Sequence, residues 1–360
     1  MVQRSTKFTG ICIAIYLVYA LFVFFILPML LPDPVTLSRN LLAQQTRHLG
    51  NLTNITLEAG GQPKRSILVT FRGSGAIGLL EYLSRQPGCY HHFSPLIAYK
   101  HRITDLAKID HALDELTSLF NCDYNKSLTM LNYGMQTPTF RNFYGVQWKT
   151  CVTYTTEVCS KPETLSQICK LFPFLNMSVY NLGLKFLMAL LERKDLNVRI
   201  LLLVRDPRAT MASRLNRLWC SNPECFRPND LCSNMAVDYD IAEILLRKHP
   251  QRFGIVRYEE LALNPTIGLK AIFDFYGLPT ESENDVQKSK ENGTEANESN
   301  NMYFEKPTQW QNILSIEEIM NIQETCKRAM KLWGYYPITD NEKEQKLSYK
   351  PLKNLPLFLK

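Results

Sequence analysis

A chain of 360 residues, 45% of them hydrophobic and 21% charged, has enough apolar surface for a large buried core, which excludes a disordered chain. Its net charge of +7 suits an anionic ligand, while the lack of basic blocks interleaved with aromatics sets nucleic acid aside. Cys220, Cys225 and Cys232 form no CxxC pair and have no histidine at ligand spacing, so no metal is expected.

Residues 8–31 carry no charge and would extend about 36 Å as a helix, enough to cross a bilayer. A cleaved secretory signal is the alternative, but its apolar core runs to about 15 residues and ends at a small-x-small site. This stretch is longer and ends in Pro28 and leucines, so an uncleaved transmembrane signal anchor is expected. Arg4 and Lys7 make residues 1–7 a cytoplasmic tail and place the remainder in a lumen or outside. Sequons at Asn51, Asn54, Asn125, Asn176, Asn292 and Asn297 agree with that orientation. Beyond the span lie Cys89, Cys122, Cys151, Cys159, Cys169, Cys220, Cys225, Cys232 and Cys326, most of which should pair in an oxidising lumen. Their odd number leaves at least one thiol unpaired or bonded to a second chain.

Residues 32–63 are polar, with Pro32, Pro34 and a Gly-Gly at 60 and 61, and read as a stem. The domain proper runs over 64–338. Its short apolar runs SILVTF (66–71), VRILLLV (198–204) and FGIVRY (253–258) predict buried parallel strands. Helical spacing appears at 77–85 and 209–218, each following a strand, and at 184–192 before the second one. The alternation predicts an α/β domain with a central parallel sheet flanked by helices and ligands at the carboxyl ends of the strands. Residues 281–301 read as an exposed, glycosylated and flexible insertion. Ile316, Ile319, Met320, Ile322 and Met330 suggest a closing helix, and 339–360 a lysine-rich loose tail.

Two segments carry chemistry. FRGSGAIG (71–78) puts Arg72 and three glycines between a strand and a helix, where backbone N–H groups and the helix dipole can hold a phosphate. The nucleotide-triphosphate pattern GxxxxGK[ST] is missing, and a plain tight turn is the bland alternative. In LLLVRDPRATMASR (201–214), Arg205 ends a strand, Pro207 suits a first helical turn and Ser213 comes two turns on, so Arg205 and Ser213 could meet a second phosphate. An Arg–Asp ion pair capping the helix is the structural alternative.

VRDPRATMASR resembles the 3′-phosphate-binding motif of Golgi carbohydrate sulfotransferases, and FRGSGA lies where that family carries a 5′-phosphosulfate loop close to RSGSS. The likeness continues through FSPL (93–96), CSKPETLSQIC (159–169), VRYEELALNP (256–265), TQW (308–310) and CKRAMKLWGYYP (326–337). It is greatest to the branch acting on the 6-hydroxyl of N-acetylglucosamine, galactose or N-acetylgalactosamine. The resemblance implies a P-loop-like sulfotransferase fold behind one Golgi anchor, PAPS (3′-phosphoadenosine 5′-phosphosulfate) as donor, a glycan acceptor and no metal. It implies that Arg205 and Ser213 anchor the 3′-phosphate. Arg72 and the N–H groups of Gly73, Ser74, Gly75 and Ala76 would then stabilise the departing 5′-phosphate. A homodimer through the span or stem is compatible with it.

The chain departs from the family at three places. Gly75 and Ala76 replace two hydroxyl residues, Ser94 replaces a glutamate before PL, and VYNLGL (179–184) lacks a lysine and an arginine, for one of which Lys185 could stand in. The general base is unassigned; His91 and His92, expected in a loop, are weak candidates, and Glu259 reads as a carboxylate paired with a nearby arginine. DYD (238–240), the one DxD spacing, falls in a predicted helix and reads as structural, against a glycosyltransferase. The rival function is a catalytically impaired sulfotransferase-fold protein that binds a glycan or a partner enzyme.

Overall fold

The computed structural model of the chain describes residues 2–26, 55–86, 88–99, 101–136, 161–215, 217, 219–220, 223–279 and 304–338. The insertion 281–301, the tail 339–360 and most of the stem lie outside them. Helix α1 (Val2–Leu21) passes into a π-helical turn at Phe22–Ile26. Among the described residues no helix is long and apolar enough to cross a membrane. The first turns of α1 carry Gln3, Arg4, Ser5, Thr6 and Lys7, which leaves 8–21 as its apolar part, about 21 Å of helix against ~30 Å of hydrocarbon. Residues 27–31 of the expected span are outside the described residues.

Five strands, β1 (Lys64–Val69), β2 (Cys89–His92), β3 (Phe174–Val179), β4 (Arg199–Val204) and β5 (Phe253–Arg257), form one parallel sheet in the order β2-β3-β1-β4-β5. Helix α2 (Ala76–Arg85) joins β1 to β2, and α3 (Leu106–Phe120), α4 (Leu128–Gln136) and α5 (Pro162–Cys169) precede β3. Helix α6 (Leu184–Glu192) leads into β4, then α7 (Pro207–Arg214) and α8 (Pro228–Lys248) into β5. The chain closes with α9 (Tyr258–Leu263), α10 (Pro265–Tyr276), α11 (Trp310–Ile313), α12 (Ile316–Thr325) and α13 (Lys327–Trp333).

Both sheet faces are covered, as a parallel sheet requires. Ile67, Val69, Ile200, Leu202 and Val204 pack towards α3, α6 and α8, while Leu68, Leu201 and Leu203 pack on Leu79, Leu80 and Leu83 of α2 and on α10. The three expected strands are present. Helix α7 begins and ends earlier than the expected 209–218: Asp206 caps its start by accepting from the Arg208 N–H at 2.8 Å, and it ends at Arg214.

Strands β2 and β3 were not expected, and they correct the placement of the two histidines. His91 and His92 belong to a buried strand, not a loop, and are 3% and 0% exposed. Register pairs Ser66 with Asn176 and Asn176 with His91. Ser66 donates to Asn176 Oδ1 at 2.7 Å, and Asn176 Nδ2 lies 2.9 Å from His91 Nδ1, so a polar row crosses three strands.

Cysteines pair as Cys122–Cys169, Cys220–Cys225 and Cys232–Cys326, and Cys89 is a buried free thiol. Cys151 and Cys159 fall outside the described residues.

Candidate anion site and cleft

The turn between β1 and α2 is built on two left-handed glycines, Gly73 at φ +90 and Gly75 at φ +77. Space as well as φ demands glycine here: a Cβ on Gly73 would lie 2.8 Å from the Thr210 carbonyl oxygen, and one on Gly75 2.4 Å from Tyr258 Cε2. Gly75 is the N-cap of α2 and makes no side-chain cap bond, so the first N–H groups of the helix lack intrahelical partners. The Ser74 N–H donates to the Phe71 carbonyl at 3.0 Å. The Ser74 hydroxyl is buried and pairs with Thr70, whose own hydroxyl donates to the Leu203 carbonyl at 3.0 Å. The one hydroxyl of the turn thus faces the sheet.

Two arginines at opposite ends of α7 grip this turn. Arg205 donates from Nη1 to the Gly73 carbonyl at 3.3 Å, and Arg214 donates from Nε to the Arg72 carbonyl at 2.9 Å. In a trans peptide the N–H points opposite to the C=O, so the Arg214 bond turns the Gly73 N–H away from α7. Arg214 also donates to the Cys225 carbonyl at 2.9 Å, and burial, then Arg72 nearby, lowers its pKa to about 10.

Arg205 is 3% exposed, its guanidinium lies over the Tyr258 ring at 4.2 Å, Nη2 donates to Glu305 at 3.1 Å, and its buried Nε has no hydrogen-bond partner among the described residues. Ser213 sits half-buried in the last turn of α7, at the opposite end of that helix from Arg205. The Arg–Asp pair that the motif allowed does exist, but it belongs to Arg208. That side chain is fully buried, forks onto both Asp206 oxygens, donates to Gln323 at 2.7 Å and lies over Trp310 at 4.4 Å.

Arg72 faces a cleft of about 510 Å³ whose walls include His101, Tyr180, Trp219, Asp230 and Asn234. The Arg72 guanidinium lies 5.0 Å from the Tyr180 ring centroid. The Tyr180 hydroxyl pairs with Ser94, the residue at the family's glutamate position, and burial raises its pKa. His91 and His92 are not on this wall, and burial pushes both imidazoles down to about 3, so both are held neutral. Lys185 is exposed on α6, does not line the cleft and lies over its neighbour Phe186.

Glu259 also departs from expectation: its oxygens accept from the Asp206 N–H at 2.9 Å and the Tyr335 hydroxyl at 3.0 Å, while the arginine pair of that segment is Arg257 with Glu260. Burial, then the Asp206 charge, lifts the Glu259 carboxyl to about 7. Asp238 of DYD is structural, accepting from the Leu184 N–H and pairing with Arg102.

Sequence reasoning missed Arg214, Tyr258, Tyr180 and Glu305. Arg214 and Tyr258 stand inside segments already singled out, VRDPRATMASR and VRYEELALNP, where spacing alone could not show that both touch the glycine turn. Tyr180 stands in VYNLGL, which was singled out only for the lysine and arginine it lacks, and nothing in the sequence marked Glu305.

The glycine turn gripped by buried arginines lies at the carboxyl ends of a parallel sheet, the place where such sheets offer helix N-termini and backbone N–H groups to ligands. The chain belongs to the sulfotransferase domain family, whose model matches residues 63–334. It is 31% identical over 185 residues to carbohydrate sulfotransferase 3 of Tetronarce californica, a match covering 44% of this chain and 40% of that one. It is 24% identical over 362 residues to carbohydrate sulfotransferase 5 of Homo sapiens, covering 81% of this chain and 82% of the relative. Among solved structures, mouse sulfotransferase SULT7A1 complexed with PAP aligns over 84% of this chain and 93% of its own, at 14% identity and TM-score 0.39.

Proposed function

We propose that the chain transfers a sulfuryl group from PAPS to a hydroxyl of a carbohydrate. The observation that carries this reading is the double grip on the turn, Arg205 on the Gly73 carbonyl and Arg214 on the Arg72 carbonyl, beside a cleft that Arg72 lines. The residues fit a donor with two phosphate groups. The uncapped start of α2 supplies N–H donors lacking intrahelical acceptors, at a point where no side chain can fill the turn, and Arg205 sets a guanidinium beside it.

The donor supplies an activated sulfur whose bond to the 5′-phosphate oxygen breaks as a new bond forms to the acceptor oxygen. Arg72 and the free N–H groups at the start of α2 stabilise the charge left on the 5′-phosphate, which is where charge develops in this reaction. Arg205 holds the 3′-phosphate, with Ser213 retained as its second ligand from the family resemblance. The acceptor proton leaves to a group on the cleft wall, and His101 and Asp230 there are of the residue types that take protons in catalysis. We assign the acceptor as the 6-hydroxyl of N-acetylglucosamine or galactose, and the site of action as the Golgi lumen behind an N-terminal anchor; the support is the motif resemblance and the uncharged stretch 8–31.

The test is PAP binding by calorimetry to the full chain purified from a secretory host, with Arg205→Ala as control. Micromolar binding lost in Arg205→Ala supports the donor site. A folded protein that does not bind PAP overturns it and favours the second reading, a glycan-binding protein without transfer, for which the inward-facing Ser74 hydroxyl and the absence of a carboxylate at Ser94 speak.

A further inference from the structure

A buried guanidinium needs a counter-charge close by, because desolvating it unpaired is costly. Around Arg205 most of the nearby carboxylates are already committed. Asp206 is held by both arms of the Arg208 fork, and Glu259 by the Asp206 N–H and the Tyr335 hydroxyl. The counter-charge is Glu305, whose carboxylate lies 3.1 Å from Nη2.

The two partners are buried very differently, with Arg205 3% and Glu305 47% exposed. Arg205 has its face on Tyr258, its Nη1 on the Gly73 carbonyl and its Nε enclosed, so the edge that Glu305 holds is the edge turned towards solvent. Glu305 is seated there by its neighbours. Its backbone carbonyl accepts from the Tyr258 hydroxyl at 3.0 Å, and Phe304 stacks on Tyr82 at 5.8 Å and meets the Tyr258 ring edge-on at 6.0 Å. Tyr258 therefore serves three parts at once: it carries Arg205, fills the space above Gly75 and anchors the residue that occupies Arg205.

We infer that the Glu305 carboxylate is an internal competitor for the donor phosphate at Arg205, an ionic latch that the donor must displace. The inference rests on the proposed donor site. A phosphate reaching the exposed edge of Arg205 would meet a carboxylate already on it, and two anions cannot share that edge without mutual repulsion. Donor affinity is then reduced by the fraction of molecules in which the latch is closed. The exposed half of the pair keeps the latch weak enough to open, since a partly solvated ion pair is worth little.

The experiment compares PAP binding by calorimetry to the full chain, to Glu305→Gln and to Glu305→Asp, with circular dichroism confirming that each is folded. Glu305→Gln is expected to bind roughly three- to tenfold more tightly than the unaltered chain. Glu305→Asp keeps the charge, shortens its reach by one methylene and is expected to fall between them. Equal or weaker binding by Glu305→Gln, with measurable binding by the unaltered chain, overturns the latch and leaves the donor site standing. Binding by Glu305→Gln alone supports the latch in its strongest form. Absence of PAP binding in all three folded proteins overturns the donor site, and the latch with it.

Discussion

Gly75 and Tyr258 occupy the same space: a Cβ on the glycine would lie 2.4 Å from Cε2 and 2.8 Å from Cδ2 of the tyrosine ring. The glycine that replaces a family hydroxyl is thus matched to its surroundings and is not a simple loss. Restoring the hydroxyl as Gly75→Ser forces a side chain into left-handed backbone and into a ring, and is expected to destabilise the fold by about 2–4 kcal/mol. In a Tyr258→Ala background the same substitution should lose at least ~1 kcal/mol of that penalty, read from urea midpoints as a double-mutant cycle. Equal penalties in both backgrounds would show that the ring does not exclude the side chain.

Arg205 and Arg208 stand three residues apart and should fail in opposite ways. Arg208 is sealed inside against Asp206, Gln323 and Trp310, so Arg208→Ala leaves Asp206 buried without its partner. The expected loss is about 3–5 kcal/mol of stability. Arg205→Ala frees Glu305, which is already half in water, so its main effect is expected on PAP affinity. The decisive comparison is the melting temperature of each variant beside its PAP dissociation constant. A melting temperature that falls more for Arg205→Ala than for Arg208→Ala would reverse the assignment.

The contrast between these two arginines also marks how far the sequence can be read. Strands β1, β4 and β5 were legible because SILV, RILLLV and FGIVR are buried on both faces and carry few polar residues. Strands β2 and β3 were not, because CYHH and FLNMSV place polar side chains inside the sheet, where Ser66, Asn176 and His91 satisfy one another across strands. Hydropathy records such residues as polar, and only register shows them paired. In the site, the glycine turn and Arg205 could be read from their motifs. The partners that fix them, Arg214, Tyr258 and Glu305, come from 142, 183 and 100 residues away respectively, a distance that local pattern does not reach.

Glu259 gives the fold a pH dependence whose sign follows from its raised pKa. Burial lifts the carboxyl from 4.5 to about 7, so between those values the folded chain holds a proton that the unfolded chain has lost. Stability from this group is therefore complete below about pH 4.5 and declines as pH rises towards 7, by an amount on the order of 3 kcal/mol. Glu115, also lifted to about 7 by burial, acts in the same direction, so the measurement must be a difference. Glu259→Gln imitates the protonated carboxyl beside Tyr335. Its stability relative to the unaltered chain is expected to rise from pH 4.5 to 7 in parallel denaturation series. A flat difference across that range would mean that Glu259 titrates alike in both states.

Asn176 belongs to an Asn-Met-Ser sequon, yet it lies in β3 between β1 and β2 and is 0% exposed. Its Nδ2, the atom to which a glycan would attach, is 2.9 Å from His91 Nδ1, and its Oδ1 accepts from Ser66. A glycan there would have to pass through the side chains packed over that face of the sheet, so glycosylation and the folded domain exclude each other. Asn125 presents the opposite case, exposed at the chain surface beside Asp123. Peptide mapping of the full chain from a secretory host is expected to find Asn176 bare, and Asn125 is the described sequon open to modification if the domain is luminal. Asn176→Ala should destabilise the fold by about 1–3 kcal/mol, because the Ser66 hydroxyl loses its acceptor inside the sheet. A glycan found on Asn176 of folded protein would contradict the burial of the row formed by Ser66, Asn176 and His91, and with it the packing over that face of the sheet.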